Sequence, residues 1–225
     1  MDLGIHFCEL CTECRRYALM WPAADVLAAW CEHGAAPTRR LFVQTLRARA
    51  VTAQGKLDDA LPIVESTLAA ARLVKDPLGQ AYALFSLAQI ALRQGDAGLA
   101  IEHAGKSLEC FRASSYDGPW THVYAFLAVA MRGQASPAER RRLLAEGIEA
   151  NRVTFREVEA ANLGLECIEI DLQEGQVEVA RQRLATLRDQ TEGLSAHEQI
   201  RVGVQLAACS VQFASGDHEG AIHAA

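Results

Sequence analysis

The sequence predicts an all-α protein built as a solenoid of about five antiparallel helix hairpins. Two observations lead to this prediction. Apolar residues recur at intervals of three and four along most of the chain, and short turns centred on glycine recur about every 40 residues. Helical spacing on both sides of a tight turn makes a hairpin with one apolar face left over. Stacking against the next hairpin buries that face, so the pattern indicates a helical repeat protein.

Composition excludes several other classes of protein. The chain has 225 residues, of which 50% are hydrophobic, too many for a disordered chain. Its longest uncharged stretch, Pro77–Leu92, has 16 residues, whereas a membrane-spanning helix needs about 20 apolar ones. The net charge of −6 argues against nucleic acid as a partner, because that affinity comes mostly from basic side chains.

The cysteine count and the N-terminus indicate a cytoplasmic protein. The first residues, MDLGIHFCELCTECRR, have no basic segment followed by an apolar one, so no secretory signal is visible. The chain has seven cysteines, an odd number, which favours free thiols in a reducing compartment over a disulfide framework.

The N-terminal 40 residues predict a degenerate first hairpin. His6–Met20 and Ala23–Cys31 have helical spacing, Trp21 and Pro22 are expected to form the turn between them, and Gly34 is expected to end the second helix.

Four regular turns follow, each centred on a glycine. The spacings between these glycines are 40, 80 and 41 residues, so a fifth turn is expected near position 135, where the chain reads AMRGQASPAERRR. Glycine suits such a turn because it adopts the left-handed conformation that ends a helix. Asp96 and Asp217 come directly after their glycines and are expected to cap the second helix. The four glycines are Gly55, Gly95, Gly175 and Gly216.

This period divides residues 1–225 into a single solenoid. Residues 1–40 form the degenerate hairpin, and the repeats are residues 41–80, 81–120, 121–160, 161–200 and 201–225, the last one truncated. Because the last repeat stops within its second helix, on the apolar sequence AIHAA, we expect the chain to be part of a longer protein.

Small residues flank the turns at fixed distances. Seven positions before the turn stand Ala48, Ala88, Ala128, Ile168 and Cys209, and five positions after it stand Ala60, Ala100, Arg140, Ala180 and Ala221. This pattern resembles the tetratricopeptide repeat family, in the long-repeat variety found in bacterial regulatory proteins. The resemblance implies a right-handed superhelix in which small residues let the two helices approach closely.

The period of 40 exceeds the family's usual length of about 34 residues. The difference implies longer helices or longer loops between repeats. The turn-rich sequences Asp76–Gly79 and Tyr116–Pro119 are expected to supply such loops.

The resemblance also implies a concave groove lined by the first helix of each hairpin. Arg49, Arg93 and Arg132 lie at or near its middle and could pair with carboxylates of a ligand. We therefore expect an interaction or sensory scaffold module of a larger cytoplasmic regulator, which binds a peptide or a partner helix. The predicted groove residues are Phe42, Arg49, Tyr82, Phe85, Gln89, Arg93, His122, Arg132, Asn162 and Glu169.

An alternative function is metal or small-molecule sensing by an N-terminal cysteine cluster. Cys8, Cys11 and Cys14 are spaced CxxCxxC, and on a helix their thiols would fall within an arc of about 120°. This spacing resembles half of a zinc site, but no second pair completes it. The other interpretation is that small thiols pack against a neighbouring helix.

No motif supports catalysis, so we expect no enzymatic activity and no cofactor. Residues 100–107, AIEHAGKS, satisfy a loose phosphate-loop pattern, but they lie inside a predicted helix whose N–H groups are already bonded. In HEGAIH, His218 and His223 are five residues apart, too far around a helix to share one metal.

The partner of the chain could also be a second copy of itself, which would make the protein a homodimer.

Overall fold

A computed structural model describes residues 17–32, 37–114, 122–153, 157–192, 198–217 and 221. Across these residues the chain forms ten α-helices and no β-strand, which confirms the predicted all-α class. The helices fall into two compact units, residues 1–116 and residues 117–225.

Within the described residues, each unit contains five helices. The first unit comprises α1 (Tyr17–Glu32), α2 (Pro37–Ala53), α3 (Leu57–Leu73), α4 (Pro77–Arg93) and α5 (Ala97–Ala113). The second unit comprises α6 (His122–Ala130), α7 (Pro137–Val153), α8 (Glu157–Gln173), α9 (Val177–Thr191) and α10 (Glu198–Ala214).

The 40-residue period comes from helix length rather than from loops. The second helices of successive hairpins begin at residues 57, 97, 137 and 177. In the first unit, α2 to α5 each have 17 residues and are joined by three-residue connections. The prediction of a loop at Asp76–Gly79 is therefore wrong, because Asp76 is the N-cap of α4 and Pro77 is its first residue. Tyr116–Pro119 lies outside the described residues.

The predicted turns are present, and each contains a glycine in the left-handed conformation. Gly55, Gly95, Gly175 and Gly216 have φ between 71° and 85°. The fifth turn contains Gly133, close to the expected position, with φ 76°. In the second turn, for example, the Asp96 N–H donates to the Ala91 carbonyl at 2.9 Å, the bond that closes a helix whose last turn is followed by a left-handed residue.

Side chains cap two of the helices that follow the turns, α5 and α7. The Asp96 carboxylate accepts the Leu99 N–H at 2.9 Å, as predicted. Before α7, the Ser136 hydroxyl accepts the Glu139 N–H while the Glu139 carboxylate accepts the Ser136 N–H, a reciprocal capping box. These bonds satisfy N–H groups that have no partner within the helix.

Small residues on both sides of the turn bring the helices of a hairpin together. Ala48, Ala60, Ala88 and Ala100 are almost completely buried, as the tetratricopeptide-like pattern implies. The hydrophobic core of the first unit forms around them and includes Ala48, Val51, Ala60, Val64, Leu68, Leu84, Leu87 and Ile90. The core of the second unit includes Ala161, Ile168, Ala180, Leu184, Leu187, Ile200, Ala208 and Val211.

The turn expected at Trp21 and Pro22 is absent. Both residues lie inside α1, which runs from Tyr17 to Glu32. A proline in the second turn of a helix removes one backbone hydrogen bond near the helix start, and here the helix continues through it. An ion pair between Asp25 of α1 and Arg47 of α2, at 2.8 Å, joins the two helices.

Replacing a turn glycine should destabilise the protein through backbone conformation alone. A Cβ at Gly95 would meet no atom within 4 Å, but its φ of 85° is unfavourable for alanine. We expect Gly95→Ala to lower the free energy of unfolding by about 1–2 kcal/mol, measured by urea denaturation.

Gly105→Ala is the matched control, since Gly105 lies inside α5 and a Cβ there also meets nothing within 4 Å. It should raise the free energy of unfolding by about 0.5–1 kcal/mol, because alanine favours helix. Equal effects of the two substitutions would contradict this account of the turn.

Candidate partner-binding surfaces

In the first unit, the predicted groove residues divide into a buried aromatic pair and a polar rim. Tyr82 and Phe85 are only 8% and 6% exposed, so they belong mainly to the hydrophobic core. The Tyr82 ring packs edge-on against Phe111 of α5, with centroids 5.0 Å apart. Tyr82 also contacts Arg49, whose guanidinium lies 5.0 Å from the ring centroid. Phe42 and Gln89 are half-buried.

Arg93 is exposed, but its side chain also holds two helices of the first unit together. Its guanidinium donates a hydrogen bond to the carbonyl of Thr52, in the last turn of α2. Carbonyls at the end of a helix have no partner within that helix, and a cation there also interacts favourably with the helix dipole. Arg93 therefore joins the ends of two first helices, a role that its place in the sequence did not show.

In the second unit, five polar side chains form what we call the α7–α8 polar cluster: Arg132, Arg140, Glu166, Glu169 and Gln173. The Gln173 amide joins two of them, accepting from Arg140 Nη1 at 3.3 Å and donating to Glu169 at 2.8 Å. Arg132 lies 3.8 Å from the Glu166 carboxylate. The structure thus brings together Arg132 and Glu169, two predicted groove residues.

Two further predicted groove residues lie in the second unit. Asn162 is exposed on α8, on the same face as Glu166, Glu169 and Gln173, because residues four and seven apart share a helix face. His122 is the first residue of α6 and is half-buried.

Three members of this cluster, Arg140, Glu166 and Gln173, are not among the predicted groove residues, and Arg140 is the one that departs from the repeat pattern. It occupies the place where the other second helices have alanine, yet it is only 4% exposed. The reason lies in α6, which ends at Ala130, three residues before the turn glycine Gly133. The Ala128 carbonyl, near this early end, accepts from Arg140 Nε at 2.8 Å. The departure from alanine in the repeat pattern was the only signal in the sequence.

The cluster contains buried polar atoms without a hydrogen-bond partner. Arg140 Nη2 and Glu166 Oε2 are both in this state within the described part of the chain. Burial raises the pKa of Glu166, as does the nearby charge of Glu169, against the opposing effect of Arg132 and Arg140. Burial likewise lowers the pKa of Arg140. Buried groups of this kind are uncommon in folded proteins.

A buried carboxylate fixes the helices that carry this cluster. Asp171 on α8 is 1% exposed and accepts from Arg141 of α7 at 2.9 Å and from Arg183 of α9 at 2.8 Å. Arg141 also pairs with Glu174. One side chain therefore links three helices of the second unit.

A cleft between α2 and α3 is a feature that the sequence did not indicate. Its volume is about 720 Å³, within the range of small-molecule sites. Apolar residues of α3 form much of its wall, and Leu73 and Val74 at its edge are 85% and 45% exposed. Arg40 and Arg47 of α2 also line it.

The sequence motifs for other chemistry have structural roles or lie outside the described residues. Residues 100–107 lie within α5, as expected: Ser107 donates to the Ala81 carbonyl at 2.7 Å, and Lys106 pairs with Glu102. Cys8, Cys11, Cys14, His218 and His223 are not among the described residues. Within the described ranges, no three histidine, cysteine or acidic side chains are grouped to hold a metal ion.

None of the helices described by the structure is both long and apolar enough to cross a membrane.

Removing the carboxylate that links α7, α8 and α9 should strongly destabilise the protein. Because breaking a buried ion pair typically costs about 3–5 kcal/mol, we expect Asp171→Asn to lower the free energy of unfolding by a value in this range. Urea denaturation would measure the change. Glu178→Gln removes the exposed pair with Arg181 and should cost less than about 1 kcal/mol. Similar losses for both variants would argue against the role of Asp171.

The raised pKa of Glu166 predicts a pH-dependent gain in stability for Glu166→Gln. Folding favours the neutral form of the Glu166 carboxyl. The stability that this preference contributes is fully present below the ordinary pKa of 4.5, and it is lost as the pH rises through the higher pKa of the folded protein. The variant should therefore be more stable than the parent protein at pH 7, and this advantage should disappear below pH 4.5.

Thermal unfolding at several pH values would test this expectation. Glu149→Gln, an exposed site on α7, should change the melting temperature little at any pH. A less stable Glu166→Gln at pH 7 would show that attraction to the two arginines outweighs burial.

Comparison with known proteins agrees with this architecture. The tetratricopeptide repeat family model matches residues 40–113. None of the curated proteins matches the chain in sequence.

Several solved structures are similar in fold at low sequence identity. BtubC (BKLC) from P. vanneervenii has a TM-score of 0.71 at 15% identity, covering 93% of this chain and 87% of that one. A putative kinesin light chain of Podosopora anserina with TPR-like repeats has a TM-score of 0.62 at 16% identity, covering 87% and 96%. A Rap protein complexed with competence and sporulation factor has a TM-score of 0.67 at 15% identity, covering 100% and 63%. The chain is therefore a TPR-like helical repeat protein, and residues 40–113 match the tetratricopeptide repeat family itself.

Proposed function

We propose that this protein is an interaction module that binds a peptide or a partner helix through the first helices of its hairpins. It would serve as a sensory or scaffold part of a larger cytoplasmic regulator, without catalytic activity. The fold supports the general role, since helical repeats present extended surfaces to other proteins. One structural neighbour is named as a Rap protein in complex with competence and sporulation factor.

The α7–α8 polar cluster is the observation that carries this proposal. Arg132 is 44% exposed, and Glu169 and Gln173 are exposed beside it. Beneath them, Arg140 and Glu166 hold buried polar atoms that lack hydrogen bonds. A peptide segment offers both acceptors and donors, and its arrival could draw these side chains into new hydrogen bonds.

The rim of the first unit offers a second contact surface of similar chemistry. Arg49 is held over Tyr82, so its guanidinium is oriented before any ligand arrives. Gln89 and Phe42 add a polar and an aromatic group that are each half-buried. A preoriented side chain loses less conformational entropy on binding than a free one.

Small-molecule sensing is the second candidate function. The cleft of about 720 Å³ between α2 and α3 favours it, because this volume and its largely apolar wall suit a compact ligand. The proposed role of Cys8, Cys11 and Cys14 in metal sensing stays a prediction.

Selection of peptides against the purified protein would test the main proposal. Phage display of random peptides would supply ligands, and fluorescence anisotropy would measure their affinity for the parent protein and for Arg132→Glu and Arg49→Glu. We expect at least one of these substitutions to weaken binding about tenfold or more, equivalent to about 1.4 kcal/mol.

Arg181→Glu is the matched control, since Arg181 is 52% exposed on α9 and pairs only with Glu178 among the described ion pairs. It should leave the affinity unchanged. Failure to select any peptide, or equal affinities for all four proteins, would contradict the proposed binding surface.

A further inference from the structure

The Gln173 side chain shows how the α7–α8 polar cluster binds an amide. Its oxygen accepts from Arg140 Nη1 at 3.3 Å, and its nitrogen donates to the Glu169 carboxylate at 2.8 Å. One neutral group thus joins an arginine to a glutamate. An amide suits this place because it carries an acceptor and two donors on a single planar group.

The same guanidinium and a second glutamate present an equivalent pair of atoms. Arg140 Nη2 and Glu166 Oε2 are buried, and neither has a hydrogen-bond partner within the described ranges. Arg140 as a whole is only 4% exposed, and its Nε is already bonded to the Ala128 carbonyl. Leaving a buried donor or acceptor unpaired is unfavourable, so a group that pairs with both atoms gains free energy on binding.

Both glutamates lie close enough to Arg140 to interact with its charge. Burial lowers the pKa of Arg140, and the charge of Arg132 lowers it further, whereas the two glutamates raise this pKa. On α8, Glu166 and Glu169 are three residues apart and therefore share one face of the helix. The pair of atoms that Gln173 occupies and the unpaired atoms thus belong to one site.

The charges of this site favour a neutral ligand. Its two arginines, Arg132 and Arg140, balance its two glutamates when all four are ionised. Arg141, the next residue along α7, adds no free charge because it is bound to two carboxylates. An anion entering the site would meet both glutamates, and a cation would meet both arginines, each with like-charge repulsion. A neutral group that carries both a donor and an acceptor avoids this repulsion.

We propose that this site binds a primary carboxamide, such as the side chain of asparagine or glutamine. The ligand oxygen accepts from Arg140 Nη2 and the ligand nitrogen donates to Glu166 Oε2, as Gln173 does with the other pair of atoms. Arg132, Glu169 and Gln173 are exposed, and exposed side chains change rotamer readily, so they can admit the ligand. The inference rests on the proposed function of this cluster as a contact surface, and it adds the chemical group that the surface recognises.

Four probes of similar size would test the chemistry of the ligand. Propionamide, propionate, propylammonium and propanol share a short carbon chain and differ in charge and hydrogen bonding. In nitrogen-15 NMR spectra, the Arg140 Nε–H signal reports on the site, because the Ala128 carbonyl holds this group in place. We expect propionamide to shift the signal to saturation, with an affinity at least about tenfold higher than that of the other three probes.

Glu166→Met removes the acceptor but keeps a side chain of similar length, so it should weaken propionamide binding about tenfold or more. Glu149→Met makes the same change at an exposed site of α7 and should bind like the parent protein. Far-UV circular dichroism would show that both variants are folded. The proposal would be overturned by the absence of any shift with propionamide, by stronger binding of propionate, or by equal affinities of the parent protein and Glu166→Met.

Three further ligands identify the source of the amide. The peptide Ala-Ala-Gln-Ala-Ala and free L-glutamine carry the same side chain, so tighter binding of the first indicates a partner protein and tighter binding of the second a small molecule. Equal binding of Ala-Ala-Glu-Ala-Ala and the glutamine peptide would show that the side-chain amide is not recognised, against the proposal.

Failure of this inference is distinguishable from failure of the proposed function. If selected peptides bind but propionamide does not, the amide site is wrong and the peptide-binding role stands. If propionamide binds but no peptide is selected, the amide site stands and the peptide-binding role is wrong.

Discussion

The first unit depends on a backbone that reverses within three residues while keeping 17-residue helices on either side. A left-handed residue makes this possible, because it ends the first helix and returns the chain antiparallel to it. The two helices then meet along faces with alanine at the points of closest approach, such as Ala48 and Ala60. Apolar side chains further from the turn fill the space that opens between the helices. Turn, alanine pair and core therefore act together, and the repetition of this arrangement produces the solenoid.

Between repeats, a non-glycine residue takes the same conformation. Lys75, in the connection between α3 and α4, has a φ of 55°. The Asp76 N–H then donates to the Ala71 carbonyl at 2.9 Å, as happens after the turn glycines. The lysine bears the strain of this conformation, and the Asp76 cap starts the next helix immediately after it. The connection therefore requires the left-handed backbone conformation, whereas the type of residue that adopts it can differ.

The hairpin of α6 and α7 departs from the repeat pattern, and this departure places a buried charge in the second unit. Because α6 ends early, a helix-end carbonyl is left for Arg140, and the long side chain carries a positive charge into the second unit. Glu166, Gln173 and Glu169 on α8 are then placed around that charge, and Glu166 is partly desolvated. Elsewhere the same place holds an alanine and the helices simply pack. The buried charge at this position follows from the place where α6 ends.

The sequence by itself determined the all-α class, the turn positions and the small residues that flank them, because these follow from local spacing and from glycine's backbone freedom. The assignment of Arg132 and Glu169 to one binding groove stays a prediction. Tertiary structure alone decided which side chains remain accessible. Tyr82 and Phe85 are mostly buried against neighbouring helices, and Arg93 bonds to a carbonyl 41 residues away. Burial depends on contacts between residues distant in sequence, so a local pattern fixes the face of a helix but not what lies against it.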